Sequence, residues 1–196
     1  MGVGAQVEVL PLHLMVRFPS DFLLTLETMV ALRLCTYPGS RPPLSQVALD
    51  LAMSSSEVHA ALKRLQGTHL IHGPELEEKP NVSALEEFLV HGLKYAFPVE
   101  RGEITRGVLT SYAADPLRRE VAPGKDPPPV WPFTGGHDKG VALRPLYKSA
   151  PIAALRDPAL YELLVLVDAI RDGRMRERKL AERLLTQRLK KTDAHS

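Results

Sequence analysis

The chain has 196 residues, among them 17 prolines and a single cysteine, with 44% hydrophobic and 24% charged side chains and a formal charge of +2. Such a length and balance provide for a real hydrophobic core and exclude wholesale disorder. One thiol, Cys35, excludes an internal disulfide and a thiolate zinc cluster. The opening segment VEVLPLHLMVRF is apolar, but it holds Pro11, His13 and Arg17 and has no basic residue before it, which argues against a signal peptide.

The first helical pattern runs over residues 20–37. Ser20 or Asp21 can cap it, and Phe22, Leu26, Val30 and Leu34 recur on one face with Met29 filling the stripe. Pro38-Gly39 ends it. Pro42 and Pro43 restart the chain into a short helix over 44–51, whose inner face is Val47, Ala48 and Leu51. A third helix is predicted from Ser54 or Ser55 to Gln66, with Val58, Ala61, Leu62 and Leu65 buried. Ser54 and Glu57 stand at capping-box spacing, which satisfies two backbone donors reciprocally. Gly67 stops this helix. His69-Leu70-Ile71-His72 reads as a short strand, turned by Gly73-Pro74.

The stretch LSQVALDLAMSSSEVHAALKRLQGTHLIHG resembles the winged helix-turn-helix of MarR-like bacterial transcription regulators. The resemblance covers residues 18–78. It implies that the 54–66 helix is a recognition helix, entering a DNA major groove with its first residues toward base edges. Ser54, Ser55, Ser56, His59, Lys63 and Arg64 are then the candidate DNA-binding side chains, placed away from the apolar stripe. One departure stands out: the segment Glu75-Leu76-Glu77-Glu78-Lys79, where such domains carry a basic wing, is mainly acidic.

Beyond residue 80 a second capping box, Ser83 with Glu86, opens a helix lined by Leu85, Phe88, Leu89, Leu93 and Tyr95 and ending before Pro98. VERGEITRGVLTSYA alternates and is punctuated by glycine, so it reads as a hairpin or a pair of short strands. PPPVWP, residues 127–132, must be extended because successive prolines fix φ. Trp131 there suits either packing over the domain or docking into an aromatic groove. Residues 140–146 form a further candidate strand. Asp157-Pro158 opens a helix whose 160–170 portion has nine apolar residues of eleven, which calls for burial on nearly every side and is too short to span a bilayer. A charged amphipathic helix over 175–191 follows, striped by Leu180, Leu184, Leu185 and Leu189. The region from Lys94 to Leu189 is similar to an accessory region that follows the winged helix in a group of bacterial regulators, and no catalytic role comes with that similarity.

Charge is uneven along the chain. Residues 171–191 hold nine Lys and Arg against three Asp and Glu, an excess of six that suits an acidic partner such as DNA phosphate. Arg101, Arg106 and Lys139 each adjoin a glycine. Close backbone approach there can deliver Arg101 and Arg106 to phosphate in place of a basic wing; the alternative is that carboxylates such as Glu100 and Glu103 pair with them.

His69 and His72 lack the further ligands a metal requires, and Cys35 lacks a paired base, so a core role suffices for it. Nucleophile elbow, phosphate loop, dinucleotide fingerprint and zinc-protease motifs are all missing. These readings converge on a mainly α protein with small β elements. It is divided into a winged helix-turn-helix domain with an N-terminal extension over 1–80 and a proline-rich mixed accessory region over 81–196 ending in dimerisation helices. The expected activity is that of a cytoplasmic, non-enzymatic, sequence-specific binder of double-stranded DNA: a homodimeric repressor without cofactor or metal, its effector unspecified. The alternative is a winged-helix protein-interaction adaptor without specific DNA binding.

Overall fold

A computed structural model describes residues 20–122 and 126–193. The N-terminal extension before residue 20 lies outside the described residues, as do the side chains of the expected caps Ser20 and Asp21 and of Phe22. The fold is mainly helical with small β elements. None of its described helices is long and apolar enough to cross a membrane.

Helix α1, Ser20–Leu34, buries Leu26, Met29, Val30 and Leu34 as their spacing requires, but it also buries Ala31 and Leu32. A single stripe therefore understates its role: it is enclosed by several elements. Helix α2, Leu44–Leu51, follows Pro43 and ends at Ala52, whose φ of 51° is left-handed. Helix α3, Ser55–Gly67, opens on the predicted capping box. The Glu57 N–H donates to Ser54 Oγ at 3.2 Å, and the Ser54 N–H donates to Glu57 Oε2 at 2.8 Å. Its buried residues are Val58, Ala61, Leu62 and Leu65. Strands β1, Ile71–His72, and β2, Lys79–Pro80, then pair antiparallel and enclose the loop 73–78. The acidic loop is tied down from within. Arg41, ahead of α2, donates to both oxygens of Glu78 at 2.8 and 3.0 Å, and both side chains are buried.

The expected Ser83 capping box gives way to Asn81, whose side chain accepts from the Ala84 N–H at 3.3 Å and donates to the His69 carbonyl at 3.1 Å. Asparagine wins because it caps the helix and fastens the hairpin at once. Glu86 instead accepts from the Thr186 hydroxyl at 2.6 Å. Helix α4, Val82–Glu87, passes through a π-helical turn, Phe88–Gly92, into α5, Leu93–Ala96. Leu85, Leu89 and Leu93 face the core, whereas Tyr95 is turned outward and is 78% exposed.

The alternating segment after Pro98 is one nine-residue strand, β3, Arg101–Leu109, and not a hairpin. Its partners come from far along the chain: β5, Asp138–Leu143, beside its first half and β4, Pro129–Pro132, beside its second, both antiparallel. β4 and β5 pair parallel, so the three strands close on one another. Glycine makes this closure feasible. A β-carbon on Gly107 would stand 2.0 Å from the Trp131 carbonyl oxygen, and one on Gly140 would stand 1.9 Å from that of Pro128. Pro129 of β4 and Pro128 just ahead of it lack N–H groups but still accept: Pro129 O takes the Thr110 N–H at 3.1 Å and Pro128 O takes the Val141 N–H at 2.9 Å.

Helix α6, Ala150–Arg156, leads into α7, Pro158–Asp172, capped by Asp157, and then into α8, Met175–Asp193. Ten residues of α7 are buried, including Asp168 and Arg171. Asp168 accepts from Thr110 Oγ1 (2.9 Å), Trp131 Nε1 (2.6 Å) and Arg171 Nη1 (2.7 Å), and Arg171 also donates to the Phe97 carbonyl at 3.0 Å. Burial pushes the Asp168 carboxyl upward, against the pull of these three donors. Trp131 thus packs inside and is not a docking side chain. On α8, Leu184, Leu185 and Leu189 are buried within this same chain, against a core continuous from α1. Leu180, the remaining residue of that stripe, is half-buried against the same core.

Candidate nucleic-acid interface

Helix α3 turns four buried apolar residues inward, which leaves Ser54, Ser55, Ser56, His59 and Lys63 exposed. Arg64 departs from that face. It is half-buried, and its Nε donates to Glu27 Oε1 on α1, so its charge braces two helices. The sequence could not reveal this because Glu27 lies 37 residues away.

Beside the exposed face lies a groove of about 310 Å³, lined by Arg41, His59, Leu62, Lys63, Gln66, Glu75 and Glu78. It runs between α3 and the β1–β2 loop. Gln66 donates to the Gly73 carbonyl at 3.4 Å across it. The Arg41–Glu78 pair cancels one of the loop's acids, leaving Glu75 and Glu77 exposed. Between them Leu76 is 57% exposed at φ 73°.

Arg101 and Arg106 do not behave alike. Arg101 forms a two-pronged pair with Asp172, Nε to Oδ1 at 2.9 Å and Nη2 to Oδ2 at 2.6 Å. Asp172 ends α7, about 22 Å along that helix from Asp157, where Arg33 of α1 meets it. The brace is therefore real, but its partner is neither Glu100 nor Glu103; Glu100 pairs with Arg144. Arg106 is exposed and stands cross-strand from Lys139, and neither forms an ion pair among the described residues. The close backbone approach expected from the neighbouring glycines serves the chain's own strands: Gly107 lies against Trp131 and Gly140 against Pro128.

The basic excess of 171–191 is also partly answered from elsewhere in the chain. Arg171 is buried with Asp168, while Arg174, Arg183 and Arg188 reach Asp126, Glu120 and Glu162 at 3.3, 3.5 and 2.8 Å. Arg188–Glu162 ties α8 to α7.

At the other end of α1 a denser ionic cluster joins three helices. Arg33 pairs with Asp50 at 2.7 Å and with Asp157, and its guanidinium lies 3.9 Å from the Tyr37 ring centroid. Burial works against the Asp50 charge, but hydrogen bonds from Arg33, Tyr37 and Gln46 hold its carboxyl below the ordinary value. No group of three or more His, Cys, Asp or Glu side chains suited to a metal occurs among the described residues. Burial pushes the Cys35 thiol up to about 12, so it is no thiolate at neutral pH and serves as core.

No model of a known protein family matches this chain, and neither does any curated protein or solved structure.

Proposed function

We propose that the protein is a winged-helix binder of double-stranded DNA that reads sequence through α3 and represses transcription by occupying its site. One observation carries this reading: a capped helix, braced from behind by Glu27–Arg64 and edged by a hairpin, that exposes Ser54, Ser55, Ser56, His59 and Lys63 together. The hydroxyls of Ser55 and Ser56 and the Lys63 ammonium, at the start and middle of the helix, match what base edges and phosphates accept, whereas the Ser54 hydroxyl is committed to Glu57 in the capping box. Arg106, exposed on β3, is a further candidate phosphate contact; Arg101 and Arg64 act as braces.

Selection of bound duplexes from a random pool tests the proposal. A consensus sequence with a steep salt dependence is expected, palindromic if two copies bind together. Ser56→Ala with Lys63→Ala should then weaken binding to that consensus by about 1–3 kcal/mol while leaving the fold intact. A pool without enrichment overturns the reading.

One observation favours a second reading, a protein-interaction adaptor. Leu76 stands exposed at a left-handed φ between two glutamates, a knob suited to an apolar pocket with a basic rim and ill suited to phosphate.

A further inference from the structure

The segment entering α6 meets the start of α3. Tyr147, itself buried, donates its hydroxyl to Glu57 Oε1 at 2.8 Å. The other Glu57 oxygen accepts from the Ser54 N–H and the Ser54 hydroxyl, each at 2.8 Å. The Ser54 backbone and hydroxyl, then Tyr147, hold the Glu57 carboxyl below the ordinary carboxylate value, with the neighbouring charge of Lys148 adding to the effect. Lys148 is exposed, and its ammonium lies 5.7 Å from the Tyr147 ring centroid. A residue from the second half of the chain is thereby fixed at the first turn of α3.

Its side of the helix matters. At 3.6 residues per turn Glu57 and His59 point about 160° apart. His59 faces the groove beside the β1–β2 loop, so Tyr147 and Lys148 flank the opposite side of the outward face. A helix lying in a major groove has a phosphate backbone on each flank. The hairpin flank carries Glu75 and Glu77; the other carries Lys148.

We infer that Lys148 is a phosphate contact of the DNA interface, supplied by the segment ahead of α6 to the flank of α3 that lies across from the acidic loop. This rests on the DNA-binding reading of α3. The same segment, through Tyr147, also gives Glu57, the one acid in the first turn of α3, a hydrogen bond that joins those from Ser54 in confining its charge.

The test measures binding to a random-sequence duplex between 50 and 200 mM salt, since phosphate contacts are indifferent to sequence. Losing one contact lowers the salt slope by about 0.9, so over that range the parent should lose about 3.5-fold more affinity than Lys148→Ala. Lys148→Arg should keep the parent slope, and both variants should melt as the parent does. Lys63→Ala, on α3 itself, is the control for the underlying reading. If Lys63→Ala flattens the slope and Lys148→Ala does not, the role of Lys148 is overturned while DNA binding by α3 stands. If the parent binds neither this duplex nor any from the selected pool, both fall.

Discussion

Ala52 closes α2 at φ 51°, with its N–H returned to the Ala48 and Leu49 carbonyls. A β-carbon in that left-handed conformation meets the following carbonyl, a crowding that glycine avoids. Ala52→Gly should therefore raise the unfolding free energy by about 0.5–1 kcal/mol in urea titration. An unchanged or lower midpoint would contradict a strained cap. Other single residues were hidden from sequence reading for a common reason: their partners are distant in the chain. For Arg101 the local sequence offers only phosphate or nearby glutamates, yet its carboxylate is Asp172, 71 positions on. Glu57 was legible as half of a capping box, because that pattern is local. Its second bond, to Tyr147, was not.

Elements follow the same division. Helices α2 and α3 were legible in extent and inner face, because turn residues and a 3.6-residue period are properties of adjacent positions. The short helix α6 went unread, although Pro151 near its start was a usable signal. The glycines of β3 resemble turn residues, which is why the sequence suggests a hairpin or a pair of short strands; in the one strand that forms they admit two others. The hairpin β1–β2 depends on a partner that no local pattern indicates, the buried Arg41–Glu78 pair. Arg41→Ala would leave Glu78 charged and enclosed, and should cost about 3–5 kcal/mol. Replacing both by methionine should restore much of that loss, since an apolar pair needs no compensating charge. Urea midpoints of the parent and the two variants measure this directly, and equal midpoints for the single and double variants would refute it.

At the scale of the whole molecule, the buried side chains of α1, α2 and α3 belong to the same cluster as those of α7 and α8. The Arg33 cluster and the Tyr147–Glu57 bond span the same junction. Such continuity predicts one cooperative transition. Leu189→Ala, at a fully buried position on α8, should cost about 2–5 kcal/mol. It should also shift far-ultraviolet circular dichroism and the fluorescence of Trp131, the sole tryptophan, by equal amounts. Two separated transitions would show that the halves melt independently.

The mutual pairing of β3, β4 and β5 bears on how this protein can associate. Recruitment by strand addition needs a row of unpaired backbone donors and acceptors along a sheet edge. Here each strand pairs with the two others, and Pro129 and Pro132 of β4 have no N–H to offer. The sheet therefore gives amyloid-type stacking little template. Contact with a duplex, a partner protein or a second copy through this sheet falls to its side chains, the exposed Arg106 of β3 among them.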